Sequence, residues 1–220
     1  MICGLYGKLP MKRDFVALGV PREVLAAYEP WLQASLAASR VALGGLWQAA
    51  FLRAPIWRFW MGAELCGGSV LGALMPSVDG VGRYFPLTLV ARGADLAPPE
   101  LEPNAAWFER VDALLLGALV EGARFEDLGA ALATLPAPSS LGPVPDPAGL
   151  RRIEGSLVMT PGPDGLRATF AALRSAQSAC PRSTLWWTEG GEGFPARALA
   201  ARGMPAPYAF ASFLSPEIAP

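Results

Sequence analysis

Apolar residues recur along the chain at two different spacings, and these spacings predict its secondary structure. Short apolar runs bounded by Pro or Gly are typical of strands, whereas apolar positions three and four residues apart are typical of one helix face. The first pattern predicts strands at residues 2–9, 56–61, 70–77, 84–91, 184–189 and 196–201. The second predicts helices at residues 102–120, 125–135 and 166–178, with short helical turns at 46–54 and 206–214.

Between the first two strands, the pattern predicts two further helices. Pro21 suits the first position of a helix. Pro30 would interrupt a helix interior, so a bend is expected there, followed by a second helix that ends at Gly44 and Gly45.

The order of these elements does not alternate regularly between strands and helices. It predicts an α/β fold built on a mixed, largely antiparallel sheet, and the helices have enough apolar surface to cover both faces in three α/β/α layers. The proline-rich residues 136–149 indicate an exposed loop. We therefore expect a main domain at 1–135, a loop at 136–149, and a C-terminal part at 150–220 that completes the same domain.

The composition is 52% hydrophobic and only 17% charged, against about 25% charged in an average globular protein. This imbalance indicates a large dry core or an exposed apolar surface reserved for a partner. The longest uncharged stretch, 128–145, contains four prolines and does not suit a membrane span. The first residues also lack the pattern of a secretory signal, so a cytoplasmic protein without direct membrane insertion is expected.

The charged and metal-binding residues exclude several classes of function. A net charge of −1 predicts no general attraction to nucleic acid or anionic lipid. The chain has no histidine, which excludes Ser-His-Asp and Cys-His catalysis and imidazole zinc sites. Glycine-rich phosphate-binding motifs are also missing, so no metal or organic cofactor is predicted. The sequence does not exclude a magnesium site made of carboxylates alone, because Asp14, Glu64 and Asp79 could converge in space.

The cysteines and the densest group of basic residues are interpreted as structural features rather than functional sites. Cys3, Cys66 and Cys180 lack C-x-x-C spacing and are expected to be small buried hydrophobic residues in a reducing compartment. The densest basic group is expected to lie in a solvated loop; it consists of Lys8, Lys12 and Arg13.

The stretch "MPSVDGVGRYFPL", residues 75–87, places Ser77, Asp79 and Arg83 between two apolar runs. Asp79 is followed by glycine, which is a strong turn signal. Arg83 could bind Asp79, Asp14 or a turn carbonyl. The stretch is compatible with a hairpin held by an internal ion pair, with an anion or partner site, or with a catalytic site.

Aromatic residues in two predicted strands raise related questions. In "APIWRFWM", Ile56, Arg58 and Trp60 share one strand face. Arg58 is therefore expected either to stack on an aromatic ring or to pair with an acid. In "LWWTE", Trp186 and Trp187 must point to opposite faces, so one fills a core and the other is covered by a helix or left for a partner.

Four motifs occur in order along the chain: "GLYGKLPMKRDFV", "APIWRFWM", "LMPSVDGVGRYFPLTL" and "STLWWTEGG". Taken together, they resemble the TagF family (also called ImpM) of type VI secretion-associated proteins in proteobacteria. The final "RGMPAPYAFASFL" is also similar to the C-terminal end of the family, whereas residues 136–165 match no part of it.

The resemblance implies a non-enzymatic regulator that holds the secretion machine inactive after its parts are made, by acting on a forkhead-associated scaffold protein. Some relatives are fused to a PP2C-type phosphatase domain, but this chain lacks that domain's metal-binding aspartates, so phosphatase activity is not expected. The polar positions of the family motifs become candidate partner-binding residues: Lys8, Asp14, Arg58, Ser77, Asp79 and Arg83.

Two other functions compete with this interpretation. One is a permanent structural subunit of the secretion apparatus, which would co-purify stoichiometrically with assembled particles. The other is a small anion- or nucleotide-binding hydrolase that uses Ser77, Asp79 and Arg83. The missing histidine and the missing phosphate loop argue against the hydrolase.

Overall fold

The structure, a computed structural model, describes residues 2–99, 104–140, 150–153, 156–159, 169 and 182–218. Its strands are Ile2–Gly7 (β1), Val16–Leu18 (β2), Trp57–Met61 (β3), Ser69–Met75 (β4), Leu87–Gly93 (β5), Leu150–Ile153 (β6), Ser156–Met159 (β7), Ser183–Thr188 (β8) and Arg197–Arg202 (β9). Its helices are Arg22–Leu43 (α1), Trp47–Arg53 (α2), Ala63–Cys66 (α3), Ala105–Gly117 (α4), Phe125–Thr134 (α5) and Ala211–Leu214 (α6), with 3₁₀ turns at Gly44–Leu46 and Pro207–Phe210.

A seven-stranded sheet with the order β2-β1-β5-β4-β3-β8-β9 forms the middle of the fold. Each pair of neighbouring strands in it is antiparallel, which confirms the expected largely antiparallel sheet. Strands β8 and β9 extend this sheet from β3, so residues late in the chain join strands formed by its first half. Strands β6 and β7 pair with each other in a separate two-stranded sheet.

Helices cover both faces of the large sheet, which confirms the predicted three layers. On one face, Tyr28 and Leu32 of α1 share a buried cluster with Phe59 of β3. On the other face, Phe108 of α4 and Leu128 of α5 belong to a second buried cluster. Each helix therefore buries an apolar stripe against the sheet, as the helical spacing predicted.

The alternation of side chains in β3 and β8 distributes the aromatic residues between these two clusters. Phe59 and Trp186 lie in the first cluster, with ring centroids 4.7 Å apart. Trp60 lies in the second, and Trp187 packs there against Phe108 at a centroid distance of 5.3 Å. The prediction that Trp186 and Trp187 face opposite sides is confirmed.

The predicted interruption at Pro30 is wrong, because α1 is one helix of 22 residues with Pro30 inside it. A proline in a helix interior costs about 3 kcal/mol through a lost hydrogen bond and a steric clash. Neighbouring side chains oppose that cost: Tyr28 and Trp31 are buried in the core. Trp31 Nε1 also donates to the carbonyl of Pro205 at 2.8 Å. Tertiary packing therefore overrides the local signal.

Other elements differ from the sequence prediction in extent or were not predicted. The strands β2, β6 and β7 were not predicted, and β5 begins at Leu87 rather than at residue 84 because the preceding residues belong to a turn. The predicted helix at 166–178 lies outside the described residues, except for the helical Thr169. The remaining predicted bounds agree with the structure to about three residues.

No helix in the described ranges combines the length and the apolar character that crossing a membrane would require.

We predict that Gly72→Ala destabilises the protein by about 1–3 kcal/mol through overpacking. Gly72 in β4 pairs with Phe59 in β3. An added Cβ would fall on the Phe59 ring and lie 2.7 Å from the carbonyl oxygen of Leu89. Urea unfolding measures the change. Gly45→Ala is the matched control, since its Cβ would meet no atom within 4 Å. Equal unfolding midpoints for the two variants would contradict this account of the sheet.

Candidate functional site

The turn between β4 and β5 folds back onto the loop that follows β1. Within the turn, Val78 and Tyr84 form an isolated antiparallel bridge, and the N–H of Gly82 donates to the carbonyl of Asp79 at 3.0 Å. The N–H of Gly80 donates outward to the carbonyl of Lys12 at 2.9 Å. The turn and the loop are therefore joined through their backbones.

Asp79 lies at the centre of this contact, and its carboxylate is fully buried. One oxygen, Oδ2, accepts from Lys8 Nζ and from Arg83 Nε, each at 2.7 Å. The other, Oδ1, accepts from the backbone N–H groups of Val81 at 3.1 Å and Arg83 at 2.9 Å. A carboxylate offers about four lone-pair sites, so these four donors occupy its acceptor capacity.

Lys8 ties the end of β1 to the turn through both its side chain and its backbone. Its side chain is buried, and Nζ lies 5.0 Å from the centroid of the Phe15 ring. The hydroxyl of Ser77 donates to the backbone carbonyl of Lys8 at 2.7 Å. The expectation that Lys8 lies in a solvated loop is wrong, because its ammonium is paired inside the protein.

Arg83 differs from Lys8 in that 57% of its side chain is exposed. Besides its bond to Asp79, the guanidinium donates through Nη2 to the backbone carbonyl of Arg13. Of the two carboxylates considered from the sequence, Arg83 pairs with Asp79. It also binds a carbonyl, but in the loop after β1 rather than in its own turn.

The donors around Asp79 keep this carboxylate ionised. Burial acts to raise its pKa, but hydrogen bonds from Lys8 and Arg83 and from backbone N–H groups outweigh burial and hold the pKa well below the usual range. A carboxylate in this state does not accept a proton near neutral pH, which a general base must do. The geometry therefore favours a positioning role for Asp79.

Arg58 lies apart from this cluster, in β3 and facing α4. Its Nη2 pairs with Asp112 at 2.8 Å and its Nη1 with Glu189 at 2.9 Å. Its guanidinium carbon also lies 5.1 Å from the centroid of the Phe108 ring. Arg58 therefore both stacks on an aromatic ring and pairs with acids, so the two alternatives from the sequence occur together.

Asp14 is exposed in the loop after β1, and among the described residues it has no hydrogen bond or ion pair. The structure thus brings together four of the six candidate residues, Lys8, Ser77, Asp79 and Arg83, but not Asp14 or Arg58. Asp14, Glu64 and Asp79 do not converge, since the described part of the chain holds no group of three or more metal-binding side chains.

The thiols of the described residues are not activated as nucleophiles. Cys66 is buried, as expected, and burial raises its pKa to about 11. Cys3 is half-buried, and burial raises its pKa as well. Both thiols are therefore protonated at neutral pH and unreactive in comparison with a catalytic cysteine. Cys180 lies outside the described residues.

Sequence reasoning missed one residue of this region, Phe15. Although 53% of it is exposed, its ring is stacked with that of Tyr6 at a centroid distance of 6.2 Å. It is also nearly perpendicular to the ring of Phe85, at a centroid distance of 4.8 Å. The available signal was an aromatic residue directly after the charged run "KRD". Such a residue looks like part of a solvated loop until its neighbours from other strands are known.

Comparison with known proteins identifies the family. The model of the TagF N-terminal domain, described as type VI secretion system-associated, matches residues 4–135. This range exceeds half of the chain and includes every candidate residue discussed above. The chain belongs to the TagF family. TagF proteins are thus associated with bacterial type VI secretion.

A solved structure extends this similarity beyond the TagF N-terminal domain. The crystal structure of PA0076 from Pseudomonas aeruginosa PAO1 is 33% identical in sequence, with a TM-score of 0.80. The similarity covers 99% of this TagF chain and 97% of PA0076. The search among curated proteins found no match.

We predict that the stability of this TagF protein declines as the pH falls below about 4, in part because of Asp79. The pKa of Asp79 in the folded protein lies well below its usual range, whereas the unfolded chain has an ordinary value of about 3.9. The unfolded state therefore binds the proton first. The stabilisation by ionised Asp79 is complete above the unfolded pKa and is lost progressively below it.

Urea unfolding across this range of pH measures the effect, and Asp79→Asn is the comparison. The variant should be less stable at neutral pH, because the buried Lys8 ammonium loses its counter-ion. Its stability should also fall less steeply in acid, since residue 79 no longer titrates. Identical acid slopes for the two proteins would show that Asp79 does not contribute.

Proposed function

We propose that this TagF protein is a non-enzymatic regulator of type VI secretion. In this proposal it acts in the cytoplasm after the apparatus has been made, and it represses secretion by binding a forkhead-associated scaffold protein. Membership of a family associated with type VI secretion supports the choice of system. The scaffold as partner follows from what the sequence resemblance implies.

The observation that supports binding over catalysis is the saturated carboxylate of Asp79. All four of its donors come from the protein itself, so no acceptor position faces a substrate. Ser77, the candidate hydroxyl, donates to the Lys8 carbonyl instead of contacting a base. These side chains hold the turn in place. Arg83 is bonded to Asp79 and to the Arg13 carbonyl, and 57% of its side chain is still exposed to solvent.

The six candidate residues therefore divide into two roles in the proposed interaction. Lys8, Ser77 and Asp79 are buried and would fix the shape of the surface. Arg83 and Asp14 are exposed and would contact the scaffold directly. Arg58 would hold the largely exposed side chain of Glu189 in position and so shape a second region of the binding surface.

We predict that overexpression reduces secretion without lowering the abundance of apparatus proteins. A post-translational repressor acts on assembled parts, and the chain has no DNA-binding signature through which to reduce transcription. Release of the tube protein into the medium measures secretion, while immunoblots and transcript levels provide the controls. Unchanged secretion, or a parallel fall in transcripts, would contradict the proposal. Stoichiometric co-purification with assembled particles would instead favour a structural subunit.

We predict that Asp79→Ala and Arg83→Ala separate folding from binding. Asp79→Ala leaves the Lys8 ammonium buried without a partner, a change that costs about 3–5 kcal/mol. Arg83→Ala removes a side chain that is 57% exposed, together with its bonds to Asp79 and to the Arg13 carbonyl. Asp79 keeps Lys8 and two backbone donors, and ion pairs of exposed side chains contribute only about 0–1 kcal/mol. The second variant should therefore melt nearly as the unmodified protein does but lose scaffold binding and repression.

Thermal unfolding and pull-down with the purified scaffold test the two variants side by side. An Arg83→Ala protein that binds normally would contradict a contact role for this side chain. An Arg83→Ala protein that fails to fold would assign the side chain to the fold.

A further inference from the structure

Two exposed apolar side chains lie in the segments that the Asp79 cluster joins. Phe15, in the loop after β1, is 53% exposed, and Val81, in the turn before β5, is 55% exposed. The segments are connected by the hydrogen bond from Gly80 N–H to the Lys12 carbonyl at 2.9 Å. Two large apolar groups are thus presented to solvent on segments that are fixed to each other.

Phe15 is exposed but held in place. Its ring is bordered by Tyr6 and by Phe85, and the Lys8 ammonium lies 5.0 Å from its centroid. A side chain already fixed by its neighbours loses little conformational freedom when a partner covers it. Rigid aromatic residues of this kind are frequent anchors of protein interfaces.

The same two segments are positively charged. Residues 8–15 and 75–87 together carry four basic and two acidic residues, although the whole chain has a net charge of −1. Lys8 and Arg83 share the single carboxylate of Asp79, so this cluster keeps one net positive charge, and Arg83 is its exposed cation. Arg13 is also exposed, and its contact with Arg83 uses only its backbone carbonyl. The one exposed acid of these two segments is Asp14, so the exposed guanidinium groups of Arg13 and Arg83 outnumber it.

We infer that Arg13, Phe15, Val81 and Arg83 form a docking surface for an acidic segment of a partner protein that carries an apolar side chain between its carboxylates. This inference rests on the proposed function and assigns the segment to the forkhead-associated scaffold. The apolar side chain would pack on Phe15 and Val81, and the carboxylates would bind the guanidinium groups. Complementary charge favours this partner over a basic or neutral one.

Affinity measurements with the purified scaffold test the docking surface. Arg13→Glu reverses an exposed charge, and Phe15→Ser removes the aromatic anchor. Each variant should bind more weakly, with a dissociation constant that is raised about tenfold or more, as measured by isothermal titration calorimetry. Arg13→Glu should also reduce the dependence of association on salt. Arg202→Glu is the matched control, because it reverses an exposed charge on β9 at the opposite edge of the sheet.

The outcomes distinguish this inference from the proposed function. If the unmodified protein does not bind the scaffold, both are overturned. If it binds and the variants at positions 13 and 15 bind equally well, only the docking surface is overturned. Melting curves are recorded for Phe15→Ser, because unfolding would also abolish its binding. If Phe15→Ser melts at a lower temperature than the unmodified protein, Arg13→Glu alone decides the result.

Vesicles of phosphatidylcholine and phosphatidylserine provide the second arm of the experiment. The unmodified protein should not bind them. Suppose instead that the unmodified protein binds these vesicles, and that Arg13→Glu abolishes this binding but leaves the affinity for the scaffold unchanged. The surface would then be assigned to a membrane, and the inference would be overturned.

Discussion

The buried ion pair between Lys8 and Asp79 connects two parts of the chain that lie 71 positions apart. It fixes the end of β1 against the turn that precedes β5, and β1 and β5 are neighbours in the sheet. Removing two charges from water is costly, and such a pair is tolerated only when further hydrogen bonds satisfy it. The N–H groups of Val81 and Arg83 supply those bonds, so the conformation of the turn and the ion pair depend on each other.

Indole groups provide a second kind of long-range connection. Trp31 donates to the carbonyl of Pro205, Trp57 to that of Phe213 at 3.0 Å, and Trp60 to that of Leu96 at 2.8 Å. Each ring lies in a core while its N–H fixes a segment outside the sheet, which is the usual arrangement for a buried tryptophan. The aromatic residues thus position the connections of the fold as well as fill its interior.

The sequence predicted those features that depend on local pattern. Alternation placed Phe59 and Trp60 on opposite faces, and the Asp-Gly pair marked the turn at Asp79. Prediction from the sequence failed where the conformation or burial of a residue depends on a partner that is distant along the chain. The burial of Lys8 depends on a partner from another strand, and the continuity of α1 through Pro30 depends on packing against the sheet. A three-residue strand such as β2 is too short to show any periodicity.

The loop after β1 holds the turn through the backbone carbonyls of Lys12 and Arg13 and not through their side chains. Substitution at these two positions therefore leaves the hydrogen bonds that join loop and turn intact. The side chain of Arg13 can therefore change while these bonds stay in place, whereas the Lys12 ammonium also lies 4.2 Å from the centroid of the Phe125 ring in α5. Position 13 can thus vary in charge and size among related chains that keep the same loop and turn.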